Sequence, residues 1–181
     1  MVKMQKINYY HFKTFLTTPY TGNDIERFKK IEESVSRNNQ LSMEEKFNLL
    51  ERFKDEKDYF FVLNGEKEAE RLCNNCKNFC LAIKYCEKCV RNYLKNQTWT
   101  SGNEEVDSII VDFQQNTLTP NMVIEWIPYD NFEKFNNRMF WKEGPYDKWN
   151  SEFVKLERFG KREVILKEMK GFEKELVIVC F

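Results

Sequence analysis

Residues 73–89 read Cys73-Asn-Asn-Cys76-Lys-Asn-Phe-Cys80-Leu-Ala-Ile-Lys-Tyr-Cys86-Glu-Lys-Cys89. Two Cys-x2-Cys steps stand nine residues apart. Each step bends the backbone tightly and brings its two sulfurs to one side, so a facing pair offers the tetrahedral thiolate set that zinc favours. The expected ligands are Cys73, Cys76, Cys86 and Cys89, with zinc ahead of iron because zinc sites with four cysteines are common structural ones. Four protein ligands leave no open position, which makes the ion structural rather than catalytic. Cys80 is a spare that either packs or replaces one of the four. The alternative is a reduced, turn-rich segment without metal. Lys77, Lys84 and Lys88 stand near enough in sequence to offset the charge of four thiolates on one divalent ion.

The rest of the chain bounds this reading. At 181 residues, with 41% apolar and 32% charged residues, the protein is long enough for one or two small domains and wet for a single one. Lys+Arg and Asp+Glu both number 29 and alternate in short runs such as Lys54-Asp55-Glu56-Lys57, which argues against nucleic acid or an anionic membrane as a partner. Met1 to Phe12 lacks a signal-length apolar stretch, and no segment is long and apolar enough to span a bilayer. A cytoplasmic location follows as an expectation. In a reducing compartment clustered cysteines point to metal rather than to disulfides.

Upstream, Ile25, Phe28, Ile31 and Val35 recur at helical spacing, with Asn23 or Asp24 as the cap. Ser42-Met43-Glu44-Glu45 has the form of a capping box opening a second helix towards Asp55, expected to bury Met43, Phe47, Leu50 and Phe53. Arg37-Asn38-Asn39-Gln40 is turn-like, so the two helices should form an antiparallel hairpin. Tyr59-Phe60-Phe61-Val62-Leu63 is too short for periodicity to choose between strand and helix. Downstream, Trp99-Thr-Ser-Gly-Asn103 precedes a helix presenting Val106, Ile109, Ile110 and Phe113, which Pro120 and Asn121 close. Met122 to Ile127 reads as a strand or an extended linker, and Val164-Ile165-Leu166 as the best strand of the last third.

Three strings together resemble the region that precedes and enters the kinase domain in the expanded kinase-like families of arbuscular mycorrhizal fungi. They are the cysteine series followed by Val-Arg-Asn-Tyr-Leu, then Trp99 to Asn103, then Glu125-Trp-Ile-Pro-Tyr-Asp130. The segment from about Leu41 to Glu70 resembles the N-terminal extension of those proteins. The resemblance implies that Trp149 to Glu152 and Arg158-Phe159-Gly160 match an aromatic insertion. It also implies that Val164-Ile165-Leu166-Lys167 matches the strand whose lysine pairs with the α- and β-phosphates of ATP, so Lys167 is the one cofactor-binding candidate.

Departures from that pattern weigh against catalysis. No glycine falls between Phe132 and Trp141, so backbone amides cannot wrap phosphates closely there. His11 is the sole histidine, which removes the His-Arg-Asp catalytic loop, and Asp112-Phe113 is followed by Gln114 rather than glycine. Fourteen residues follow Lys167. The expectation is therefore an α+β protein in three parts. These are a helical extension over 1–70, a four-cysteine knuckle with a helix over 71–120, and an incomplete kinase N-lobe over 121–181, less regular from about 131 onward than the family fold would suggest. Its function would be a truncated, non-catalytic kinase-like product with a structural zinc and a protein partner. The alternative is a serine/threonine or tyrosine kinase-related ATP-binding protein.

Overall fold

The structure is a computed structural model that describes residues 24–65, 70–169 and 176–180, with 167–169 and 176–180 described as backbone. The described residues make a mixed α+β fold of four α-helices and small antiparallel sheets. The chain divides into two compact units, the boundary falling between Phe53 and Lys54.

In the first unit, helix α1 (Asp24–Arg37) and the start of helix α2 (Met43–Asn64) form the expected hairpin. Ser36 meets Lys46, whose Nζ donates to the Ser36 carbonyl at 2.8 Å, and the Phe28 and Phe53 rings lie 5.3 Å apart. Contacts that move backward along one helix as they move forward along the other define an antiparallel pair. The capping box forms as read: the Ser42 Oγ accepts from Glu45 N at 3.2 Å, and Glu45 Oε2 accepts from Ser42 N at 2.9 Å. Asp24 is buried in the first turn of α1 and takes Arg27 Nη1 at 2.8 Å, while Asn23 lies outside the described residues. Burial along α2 departs from expectation. Phe53 is buried, but Met43 and Phe47 are exposed.

Helix α2 continues to Asn64, so the ambiguous run from Tyr59 to Leu63 is helical. Gly65, at φ +64, ends it in the left-handed conformation common after a helix. A two-stranded ribbon follows, β1 (Arg71–Leu72) with β2 (Phe79–Cys80), and then helix α3 (Glu87–Lys95). Helix α4 (Glu104–Gln115) starts at Asn103, whose side chain accepts from Glu105 N and Val106 N. Ile110 is buried, whereas Ile109 and Phe113 face outward. Met122 to Ile127 carries no ladder beyond a short 3₁₀ turn at Pro120–Met122, which makes it the linker rather than the strand.

From Asn131 onward the described chain is paired into strands, but not into one five-stranded lobe. Strands β3 (Phe132–Phe135), β4 (Arg138–Trp141), β7 (Arg162–Met169) and β8 (Leu176–Cys180) form one antiparallel sheet in that order. Phe132, Trp141 and Val164 are its buried side chains. Between β4 and β7 a ribbon of β5 (Tyr146–Asn150) and β6 (Lys155–Arg158) stands apart as its own pair. The β3–β4 turn holds Asn136 and Asn137 at φ 47° and 61°, the two positive values a tight hairpin turn demands and asparagine tolerates. Local turn chemistry thus sets the β3–β4 hairpin.

Candidate metal centre

The β1–β2 ribbon carries the first Cys-x2-Cys step in its turn, and the second step opens helix α3, with Cys86 at the N-cap and Cys89 in the first turn. Lys77, at φ 56°, supplies the left-handed residue that closes the first knuckle, and Lys77 N donates to the Cys73 carbonyl at 3.0 Å. The four sulfurs of Cys73, Cys76, Cys86 and Cys89 lie within 4.8 Å of one another. Across the knuckles, Cys73 Sγ is 3.7 Å from Cys89 Sγ and Cys76 Sγ is 3.7 Å from Cys86 Sγ. A tetrahedral zinc–thiolate site with bonds near 2.3 Å requires sulfur–sulfur edges of about 3.8 Å. The pairs are far too distant for disulfides, and all four thiols are free. Four cysteines on the described chain are therefore close enough to share one metal ion.

The electrostatics of the two knuckles differ. Burial pushes the Cys76 thiol up, but the amide and side chain of Asn78 and the neighbouring thiols outweigh it and bring its pKa down to about 6. Cys73 is likewise lowered, with the Cys76 and Asn75 amides overcoming burial. Burial wins at Cys86 and Cys89, which are both raised. The first knuckle therefore favours the thiolate form more than the second does. A divalent ion would draw all four to thiolate and release the remaining protons. Asn75 Nδ2 donates to Cys89 Sγ at 3.4 Å, so the first knuckle also supports the second.

Cys80 lies outside the set of four, although its sulfur, the Cys86 sulfur and a Glu87 carboxylate oxygen also lie within 4.8 Å of one another. It is buried on β2, its thiol donates to the Arg71 carbonyl at 3.5 Å, and burial raises its pKa to about 12. Of the three lysines expected to offset the cluster's charge, Lys84 turns to Asp55 at 2.6 Å, while Lys77 and Lys88 reach Asn74 and Asn78. Amide N–H groups, rather than ammonium groups, do the direct electrostatic work at the sulfurs.

Sequence reasoning did not reach the groups that shelter the centre. Trp149, on β5, packs against the cysteine cluster and meets the Tyr93 ring edge-on, with centroids 6.0 Å apart. Leu156 of β6 shares a core with Ala82, Tyr85, Val90 and Leu94. Glu87 and Asp58, both buried, hold the loop between Cys80 and Cys86. On the helix that the structure shows, Asp58 shares the face of Phe61 and Val62, where a buried acid needs a partner.

Lys167 lies elsewhere, on β7, its backbone paired opposite Ile178 of β8, and its side chain is outside the described residues. Asp112-Phe113 sits within helix α4. With the geometry in place, comparison with known proteins adds no relative: no family model, no curated protein and no solved structure matches the chain. No helix among the described residues is long and apolar enough to cross a membrane.

Proposed function

We propose that this chain is a zinc-stabilised, non-catalytic protein-interaction module of kinase-like ancestry, working in the cytoplasm. The observation that carries the metal part is the pair of 3.7 Å sulfur contacts across two facing knuckles, the spacing a tetrahedral ion imposes. Four thiolates with no carboxylate or histidine select zinc over harder ions. Support for a protein partner comes from apolar groups facing outward beside the centre. Leu72 and Phe79, paired across the β1–β2 ribbon, are 55% and 63% exposed. Kinase-like ancestry rests on the strings quoted above. The asparagine turn between β3 and β4 favours a non-catalytic role, because it offers no glycine to bring backbone amides against phosphates.

The test uses the full chain purified without chelator. Elemental analysis is expected to find one zinc per chain, lost in Cys76→Ser, and calorimetry with magnesium and ATP is expected to show no binding heat. A protein free of zinc, or a Cys76→Ser variant as zinc-rich as the parent, would refute the metal reading. Binding of ATP abolished by Lys167→Ala would instead favour the nucleotide-binding alternative.

A further inference from the structure

The five residues between Cys80 and Cys86 belong to no helix or strand. Such a loop leaves its amide N–H groups in need of acceptors, and an unmet buried donor is costly. Here four consecutive amides are met by two carboxylates. Glu87 Oε1 accepts from Leu81 N and Ala82 N, each at 2.8 Å. Asp58 takes the next two, with Oδ1 on Ile83 N and Oδ2 on Lys84 N at 2.9 Å. From the other side, Arg71 Nε donates to the Ala82 carbonyl at 2.6 Å and Arg71 Nη2 to that of Tyr85.

Glu87 and Arg71 are parts of the knuckles themselves. Asp58 stands on helix α2, far back in the chain, and its residue is 1% exposed. A carboxylate buried to this degree with both oxygens on backbone amides is fixed in place, and so is the loop that donates to it. The next residues along that loop are Tyr85 and the ligand Cys86.

We propose that Asp58 is a positioning residue for the metal centre: by fixing Ile83 and Lys84 it sets where the Cys86 sulfur stands and makes the end of α2 a metal-linked element. The inference rests on the metal reading above. Outer-shell groups that orient ligands typically alter metal affinity 10–100-fold when removed. Linkage makes the effect reciprocal: whatever Asp58 adds to metal affinity, the metal adds to the Asp58 contact. Asp55 gives the control, because its tie to Lys84 Nζ bridges the same elements through exposed side chains and leaves the loop amides untouched.

Zinc affinity of the full chain, measured by competition with a chromophoric chelator, is expected to fall about 10–100-fold in Asp58→Asn. In Asp55→Asn it should stay within about twofold, the size of an exposed ion pair's effect. Cobalt-loaded Asp58→Asn should also show a shifted absorption band, a signature that a purely stabilising side chain would leave alone. If Asp58→Asn does not fold, hydrogen exchange on the parent decides: zinc removal should expose the Ile83 and Lys84 amides together with those at the end of α2. Unchanged exchange there, or an Asp58→Asn variant with parental zinc affinity, overturns the inference while the metal reading stands. A parent chain that takes up no zinc removes both.

Discussion

Arg158 places its two terminal nitrogens on the two carboxylate oxygens of Glu125, at 3.0 and 2.5 Å, with its guanidinium 4.0 Å from the centre of the Tyr146 ring. The same Nη1 donates to the Gly144 carbonyl at 2.7 Å. A linker residue is thereby tied to the β5–β6 ribbon at the point where the ribbon leaves the sheet.

Breaking this pair from either side should not cost the same. Arg158→Ala strands a carboxylate that is only 13% exposed, so it should destabilise by about 2–3 kcal/mol. Glu125→Gln keeps the shape and one acceptor, and should cost roughly half as much. Arg158→Lys should not rescue, since an ammonium can neither fork onto the carboxylate nor lie flat on Tyr146. Urea denaturation of the three variants orders them.

Gly144 cannot carry a side chain. A Cβ there would fall 2.0 Å from the Gly160 carbonyl oxygen, and its φ is +68°. Both partners are backbone at the ribbon's neck, where Gly160 N also donates to the Glu143 carbonyl at 3.0 Å. Gly144→Ala should therefore cost more than the roughly 1–2 kcal/mol of left-handed strain alone. Gly65→Ala, at φ +64° with nothing within 4 Å of the new carbon, should show only that strain. Thermal melts of the two variants give the comparison.

Cys80 and Cys76 should respond oppositely to serine. Cys80, with its thiol raised to about 12 and turned to the Arg71 carbonyl, should retain full metal content as Cys80→Ser, with a stability loss of about 1 kcal/mol. Cys76→Ser should lose the metal. Metal content and melting temperature, taken together, separate packing from ligation.

Asp58 gives a pH signature of definite sign. Burial raises its pKa from 3.8 to about 6, against the pull of the Ile83 and Lys84 amides. A carboxyl raised on folding contributes stability that is fully present below the unfolded value and is lost as pH rises through the folded one. The stability of the parent relative to Asp58→Asn should thus decline between about pH 4 and just above pH 6 and then level off. Urea titrations at several pH values trace the difference, and a flat difference would remove Asp58 as its source.

What the sequence disclosed was mostly local. Ser42 and Glu45 announce their helix because both halves of a capping box lie within one turn, and Asn103 does the same for α4. The cluster of Cys73, Cys76, Cys86 and Cys89 was legible because knuckle spacing is itself local geometry. Tyr59 to Leu63 was not decidable, since five apolar residues fit either period, and tertiary packing of Phe61 and Val62 settles it as helix. The grip of Asp58 on residues 25 and 26 positions later is invisible to any local pattern. So is the burial of Trp149 on the cysteines, and so is the failure of Met43 and Phe47 to find cover.

Trp149 and Leu156 have one further consequence. Part of the packing around the knuckles, Trp149 on the cysteines and Leu156 on the neighbouring core, is supplied by a ribbon translated long after them. If an ion binds at the knuckles, the Trp149 and Leu156 packing around them is complete only in a chain that has reached the second strand of that ribbon.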